Sequence, residues 1–150
     1  MQDPSKNQRA RPWLLLPQLD RLRPFSALPI RVFLGFFLLY MSQDNVFSSA
    51  RMHEFTLFLE AHGFPLPEVC ARVSVYAQFA CGALILLGAF TRWAALLMVG
   101  NFIVAIAMVH VGLPLRTYLE PSAMLAASGF LLMHGPGRPS FDAWCFSPNE

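Results

Sequence analysis

"YAQFACGALILLGAF" spans Tyr76–Phe90. Most of this stretch would dissolve in lipid, yet Gln78, Cys81, Gly82 and Gly88 interrupt it. At 3.6 residues per turn, Cys70, Ser74, Gln78, Cys81, Gly82, Ile85 and Gly88 fall on one broad stripe. Val73, Phe79, Ala83, Leu86 and Phe90 fall on the other side. Lipid tails gain nothing from small or polar side chains. A neighbouring helix does, because small residues allow close approach and an amide can bond across. The stripe is therefore expected to face the interior of a helix bundle. Gln78 has two readings there. It satisfies its amide against a neighbouring helix, or it touches a ligand.

The rest of the chain fits this reading. It has 150 residues, of which 55% are hydrophobic and 13% charged, with fourteen Phe. Its mean hydropathy is +0.46. That composition belongs to membrane proteins rather than water-soluble domains. The net charge of +2 comes without a basic stripe or a nucleic-acid motif, so nucleic acid is not an expected partner. Cys70, Cys81 and Cys145 form no CxxC pair, and no Cys/His spacing suits zinc.

Four spans are expected, each needing ~20 apolar residues. The first is Leu28–Phe47, with Pro29 in its opening turn and a polar end at Ser42–Asn45. The second runs from Pro67 to Phe90. Thr91 and Arg92 form a turn, and the third span covers Trp93–Leu113. The fourth runs from about Tyr118 to His134, where "GPGRPSFD" ends the helical part. Small residues suggest the inward faces: Gly100, Ala107 and His110 on the third span, and Glu120, Ala123, Ala127 and His134 on the fourth.

Between the first two spans, Arg51–Gly63 reads as a short amphipathic helix on the membrane surface. The fold class is thus an all-α membrane protein, an antiparallel four-helix transmembrane bundle with one surface helix. Its parts are a basic tail (1–27), a membrane domain (28–134) and a C-terminal tail (135–150). Trp13–Leu22 either lies flat on the membrane or belongs to a disordered tail. Arg31 is expected to snorkel to headgroups.

Lys6, Arg9, Arg11, Arg21, Arg23, Arg92 and Arg138 would share one side, against Arg51, Arg116 and Arg72 on the other. The positive-inside rule then places both termini in the cytoplasm of a bacterial inner membrane.

Candidate ligand-binding residues are Gln78, His110, Glu120, Arg72 and Tyr76. His and Glu near the outer face can hydrogen-bond quinone carbonyls and exchange protons, with apolar walls holding the ring and tail. The alternative is structural: Arg72 and Glu120 meet water at helix ends, and His110 bonds a neighbour. No catalytic residue and no metal site is identified. His53 and His62 are nine residues apart and face different ways.

Several local patterns together resemble the DoxX family of small four-span membrane proteins. "HGFPLP" (62–67) is similar to the Gly-x-Pro-x-Pro start of its second span. "GALILLGAFTRWAALLM" (82–98) resembles its glycine-rich helix, tight turn and third span. "AMVH" (107–110) and "EPSAMLAASGFLLMHGPGRPSFDAW" (120–144) are similar to its third-span end and its closing signature.

The resemblance implies a membrane protein near redox chemistry, since the family takes its name from a thiosulfate:quinone oxidoreductase. The family often carries Glu where this chain has Gln78. It often has Lys near the end of the first span, where this chain has "MSQDNVFSS". The expected function is an accessory or anchoring subunit of a membrane redox complex contacting quinone or lipid. A quinone-reactive subunit of the thiosulfate type and a small transporter are the alternatives. Expected partners are the lipid bilayer and membrane or periplasmic proteins, with self-association left open.

Overall fold

The computed structural model describes residues 22–110 and 114–146. Expectations for the basic tail up to residue 21, including a surface helix near Trp13, fall outside them. So does the end of the third span at 111–113.

Helix α1 is Leu28–Phe47, as expected. Pro29 sits in its first turn, where no N–H partner is needed. Ser48 ends α1 with extended backbone and also starts α2, Ser49–Ala61, by accepting the Arg51 N–H on its side chain. Helix α3, Pro67–Leu87, also opens on proline. Gly88 ends it in the left-handed region (φ 71°). The N–H groups of Gly88 and Ala89 return to the carbonyls of Ile85 and Leu84, which is the Schellman arrangement.

Helix α4 is Thr91–Ala105 and continues as a π-helical turn, Ile106–His110. The connection is therefore Gly88–Phe90, and the expected turn at Thr91–Arg92 is already helix. Local pattern could not place this boundary, because Asp142 caps α4 from far along the chain. Helix α5 is Leu115–His134. A short α6, Phe141–Phe146, follows where no further helix was expected.

The helices pack as two antiparallel pairs, α1 with α3 and α4 with α5, joined through α3 and α4. The pairing directions are visible at one end. Arg31 near the start of α1 lies against Gly88 at the end of α3, and Arg92 at the start of α4 lies against Gly135 at the end of α5. Helix α2 rests on α1 and α3. The core contains Leu34 and Leu38 of α1, Cys81 and Ile85 of α3, and Met98 and Phe102 of α4. Met124 and Leu131 of α5 complete it.

The α3 stripe is largely as expected, with Cys81, Gly82 and Ile85 buried. Gly82 meets Gly35 of α1, and neither has room for a side chain. Phe79, expected toward lipid, is half-buried with its ring edge-on to Phe47.

The inward faces expected for the next two helices are corrected. Gly100 and Ala107 are exposed, and Ala94, Ala95, Met98 and Phe102 face inward instead. On α5, Glu120, Ala123 and His134 are exposed and Ala127 is half-buried. Pro121, Met124, Ser128 and Leu131 face the core there, at the i, i+3, i+7, i+10 spacing of one helix face. Residue size misled the expectation. Gly35 and Gly82 do mark a close approach of α1 and α3, but on α4 and α5 the buried face mixes small residues (Ala94, Ala95, Ser128) with Met98, Phe102 and Met124, so size alone does not mark the interface.

Among the described residues, three helices are long and apolar enough to cross a membrane: Leu22–Phe47, Pro67–Leu87 and Thr91–Val109. Their outer faces carry Phe33 and Phe36, Val69 and Val73, and Leu97 and Ile103, all exposed. Water would penalise such continuous apolar surface, whereas lipid accepts it.

Candidate ligand site in the bundle

Two turns of α3 and one of α4 bring three polar side chains together. Ser74 and Gln78 are one helical turn apart, so they share a face of α3. The Gln78 side-chain N–H donates to Ser74 Oγ at 3.0 Å. Ser74 Oγ donates to Asn101 Oδ1 at 2.8 Å. The result is a directed chain, from amide to hydroxyl to amide, across the α3–α4 seam. All three residues are half-buried.

Gln78 stands ~17 Å along α3 from Pro67 and ~14 Å from Leu87, near the middle of the span. Among the described residues, the Gln78 carbonyl oxygen and the Asn101 NH2 group make no hydrogen bond. Polar groups left open at this depth are costly in hydrocarbon unless something else engages them. The seam thus offers one free acceptor and one free donor group on two otherwise apolar helices.

The structure treats the five sequence candidates differently. Gln78 takes part in the chain just described. Arg72 is exposed and pairs with Glu68 one turn earlier, a surface pair of small energetic weight. Tyr76 and Glu120 are exposed. His110 closes the π-helical turn, but its side chain lies outside the described residues. Sequence reasoning missed Asn101. The signal was present, because an amide within "LLMVGNFIVAIAM" is as anomalous as Gln78 in its own helix.

A second polar assembly lies at the end of the bundle where α3 turns into α4. Arg31, expected to snorkel, is instead only 4% exposed. Its guanidinium donates to the carbonyls of Pro136 (2.9 Å) and Pro139 (2.6 Å). The "GPGRP" segment supplies these acceptors, and they lie more than a hundred residues downstream. Asp142 then closes the structure. Its carboxylate accepts the backbone N–H groups of Phe90 (2.7 Å) and Thr91 (3.0 Å). Its own N–H donates to the Gly88 carbonyl at 2.9 Å. A remote carboxylate thus caps α4 at the positive end of its dipole. The closing signature was legible as a pattern, but its role as a clasp was not.

Elsewhere, Gln43, Asp44, Phe47, Ser48 and Arg51 line a shallow open groove where α1 meets α2. His62 Nδ1 lies 2.7 Å from the Phe58 carbonyl. Among the described residues, no group of three or more His, Cys, Asp or Glu is placed to hold a metal ion.

No curated protein and no solved structure matches this chain. The family model named DoxX matches residues 26–111, from the turn before α1 through the π-helical turn after α4. The closing signature resembling the family lies beyond the matched residues. A match over more than half of the chain, on the stretch holding α1, α3 and α4, establishes that this membrane protein belongs to the DoxX family.

Proposed function

We propose that this chain is an accessory or anchoring subunit of a membrane redox complex and contacts a quinone at the Gln78–Ser74–Asn101 seam. Membership in a family often associated with redox chemistry supports the first half. The free amide groups at mid-span carry the second. A quinone carbonyl would accept from the Asn101 NH2, and a hydroquinone hydroxyl would donate to the Gln78 carbonyl. One donor and one acceptor suit both redox forms, and the apolar flanks suit a ring and an isoprenoid tail.

The same observation favours an accessory role over a catalytic one. A Gln amide does not titrate in the physiological range, so Gln78 can hold a quinone but cannot pass it a proton as a carboxylate can.

In this reading α5 is the fourth span. Its 20 residues make ~30 Å, enough for the hydrocarbon core, and it packs along α4. Helix α2 lies on the outer membrane surface, and both termini are cytoplasmic in a bacterial inner membrane. Extraction of the full chain from native membranes in mild detergent tests the proposal. Bound quinone and a redox-active partner protein should copurify. Recovery of the chain with neither contradicts it.

A further inference from the structure

We propose that the end of the bundle carrying the α3–α4 turn and α6 binds anionic phospholipid headgroups, with Arg92 and Arg138 as the cations and Trp93 and Trp144 as interfacial anchors. This surface is separate from the quinone seam and does not depend on that reading.

The level of this end is set by the helices. Membrane-length helix α1 starts here, α3 ends here, and α4 starts here. The end of α5 joins them, because Ser26 Oγ and His134 Nε2 are 3.2 Å apart. A bilayer accommodating these helices has its headgroup layer at the level of residues 88–92.

The side chains at this level suit that layer. Trp93 is 69% exposed and Trp144 81% exposed, so neither ring buries much against the chain. Phe90 and Phe141 are exposed beside them in sequence. Indole rings partition to the boundary, where the ring meets acyl chains and the N–H meets water. Trp144 is held there rather than carried on a loose tail. Helix α6 is fastened by Asp142 to Gly88, Phe90 and Thr91.

The charge at this end is one-sided. Asp142 is the only carboxylate among the described residues of 22–31, 84–95 and 131–146, and both of its oxygens are engaged by backbone N–H groups. The Arg31 guanidinium is buried against carbonyls. Arg92 is exposed and makes no hydrogen bond or ion pair within the described residues. It lies over Gly135, where a Cβ would stand 3.3 Å from its Nε. Arg138 is three residues further on and also exposed, with its backbone N–H fixed to the Pro24 carbonyl at 2.6 Å. Two unneutralised guanidiniums on a fixed backbone, flanked by tryptophans, complement a phosphodiester anchored in the same layer.

The test uses the full chain in detergent micelles doped with either phosphatidylglycerol or phosphatidylcholine, with retained lipid and melting temperature measured. Phosphatidylglycerol should be retained preferentially and should raise the melting temperature, and added salt should weaken both effects. Arg92→Gln with Arg138→Gln should weaken that retention by roughly 25-fold, on the order of fivefold for each arginine near an anionic surface. If the double variant is too unstable to purify, a Trp144-only chain (Trp13→Phe, Trp93→Phe) gives a second readout. Its fluorescence should be quenched more by lipids labelled near the headgroup than by lipids labelled at the tail end. Equal retention of the two lipids, full retention by the double variant, or tail-end quenching of Trp144 would each overturn the proposal. Displacement of the lipid by inorganic phosphate beyond that caused by sodium chloride at the same ionic strength would also overturn it, because the surface would then be a free-phosphate site.

Discussion

Gly35 and Gly82 meet where α1 crosses α3, and a Cβ on Gly35 would stand 2.9 Å from the Gly82 carbonyl oxygen. A Cβ on Gly82 would stand 2.9 Å from the Leu38 Cβ. These neighbours are backbone or the first carbon of a side chain, so they cannot swing away. Gly82→Leu should therefore destabilise the bundle by about 1–3 kcal/mol through overpacking. Gly100 has nothing within 4 Å of a Cβ position. Gly100→Ala should hold or raise stability, by up to about 1 kcal/mol from helix propensity. Melting of both variants in detergent checks the pair. Equal sensitivity at the two positions would mean that α1 and α3 do not cross at these glycines.

Asp142 caps a helix that begins more than fifty residues before it. Asp142→Ala should cost about 0.5–2 kcal/mol, the range for losing a capping side chain. Asp142→Asn keeps an oxygen acceptor and should cost less. Limited proteolysis should show earlier cleavage near 138–146 in the Ala variant than in the wild type. Identical digestion patterns would mean that the clasp contributes nothing to holding α6.

Arg31→Met keeps the bulk and removes the donors to Pro136 and Pro139. Each lost hydrogen bond to a charged group should cost about 1.5–3 kcal/mol, partly offset because a buried charge is removed as well. The expected outcome is a lower melting temperature with a looser C-terminal segment. Exposed Arg51→Met breaks only a surface pair with Glu54 and should change stability by less than about 1 kcal/mol.

Parts of this architecture could be read directly from the sequence, and parts could not. Helix α1 was legible at both ends, because Pro29 marks a first turn and the polar Ser42–Asn45 run comes just before its last residues. The α3 stripe was legible because Gly82 answers to a glycine on α1. The faces of α4 and α5 were misread because small size was taken as the mark of an interface. The core there is shared by Ala94 and Ala95 with Met98, Phe102 and Met124, so small and large residues both pack inward. Arg31 looked like a surface cation because its acceptors, at Pro136 and Pro139, are remote in sequence. Of the candidate site, Gln78 was legible as an amide in an apolar helix. Its hydrogen-bonded partners were not, because no local rule pairs position 74 with position 101.

Topology offers an independent check on the fourth crossing. A reporter fused after Glu150 should be active in the cytoplasm only, and one inserted at Arg116–Thr117 in the periplasm only. Activity of both fusions on one side would mean that α5 does not span the membrane.

The most direct test of the quinone seam compares two adjacent positions on α4. Asn101→Leu removes the free NH2 donor and the carbonyl that accepts the Ser74 hydroxyl, whereas Gly100→Ala changes an exposed neighbour with open space around it. Quinone retained by the purified chain should fall about tenfold in Asn101→Leu, the equivalent of one hydrogen bond lost in a low-dielectric site. Gly100→Ala should retain quinone as the wild type does, and melting in quinone-free detergent should show both variants folded. Undiminished quinone in a folded Asn101→Leu chain would contradict the site.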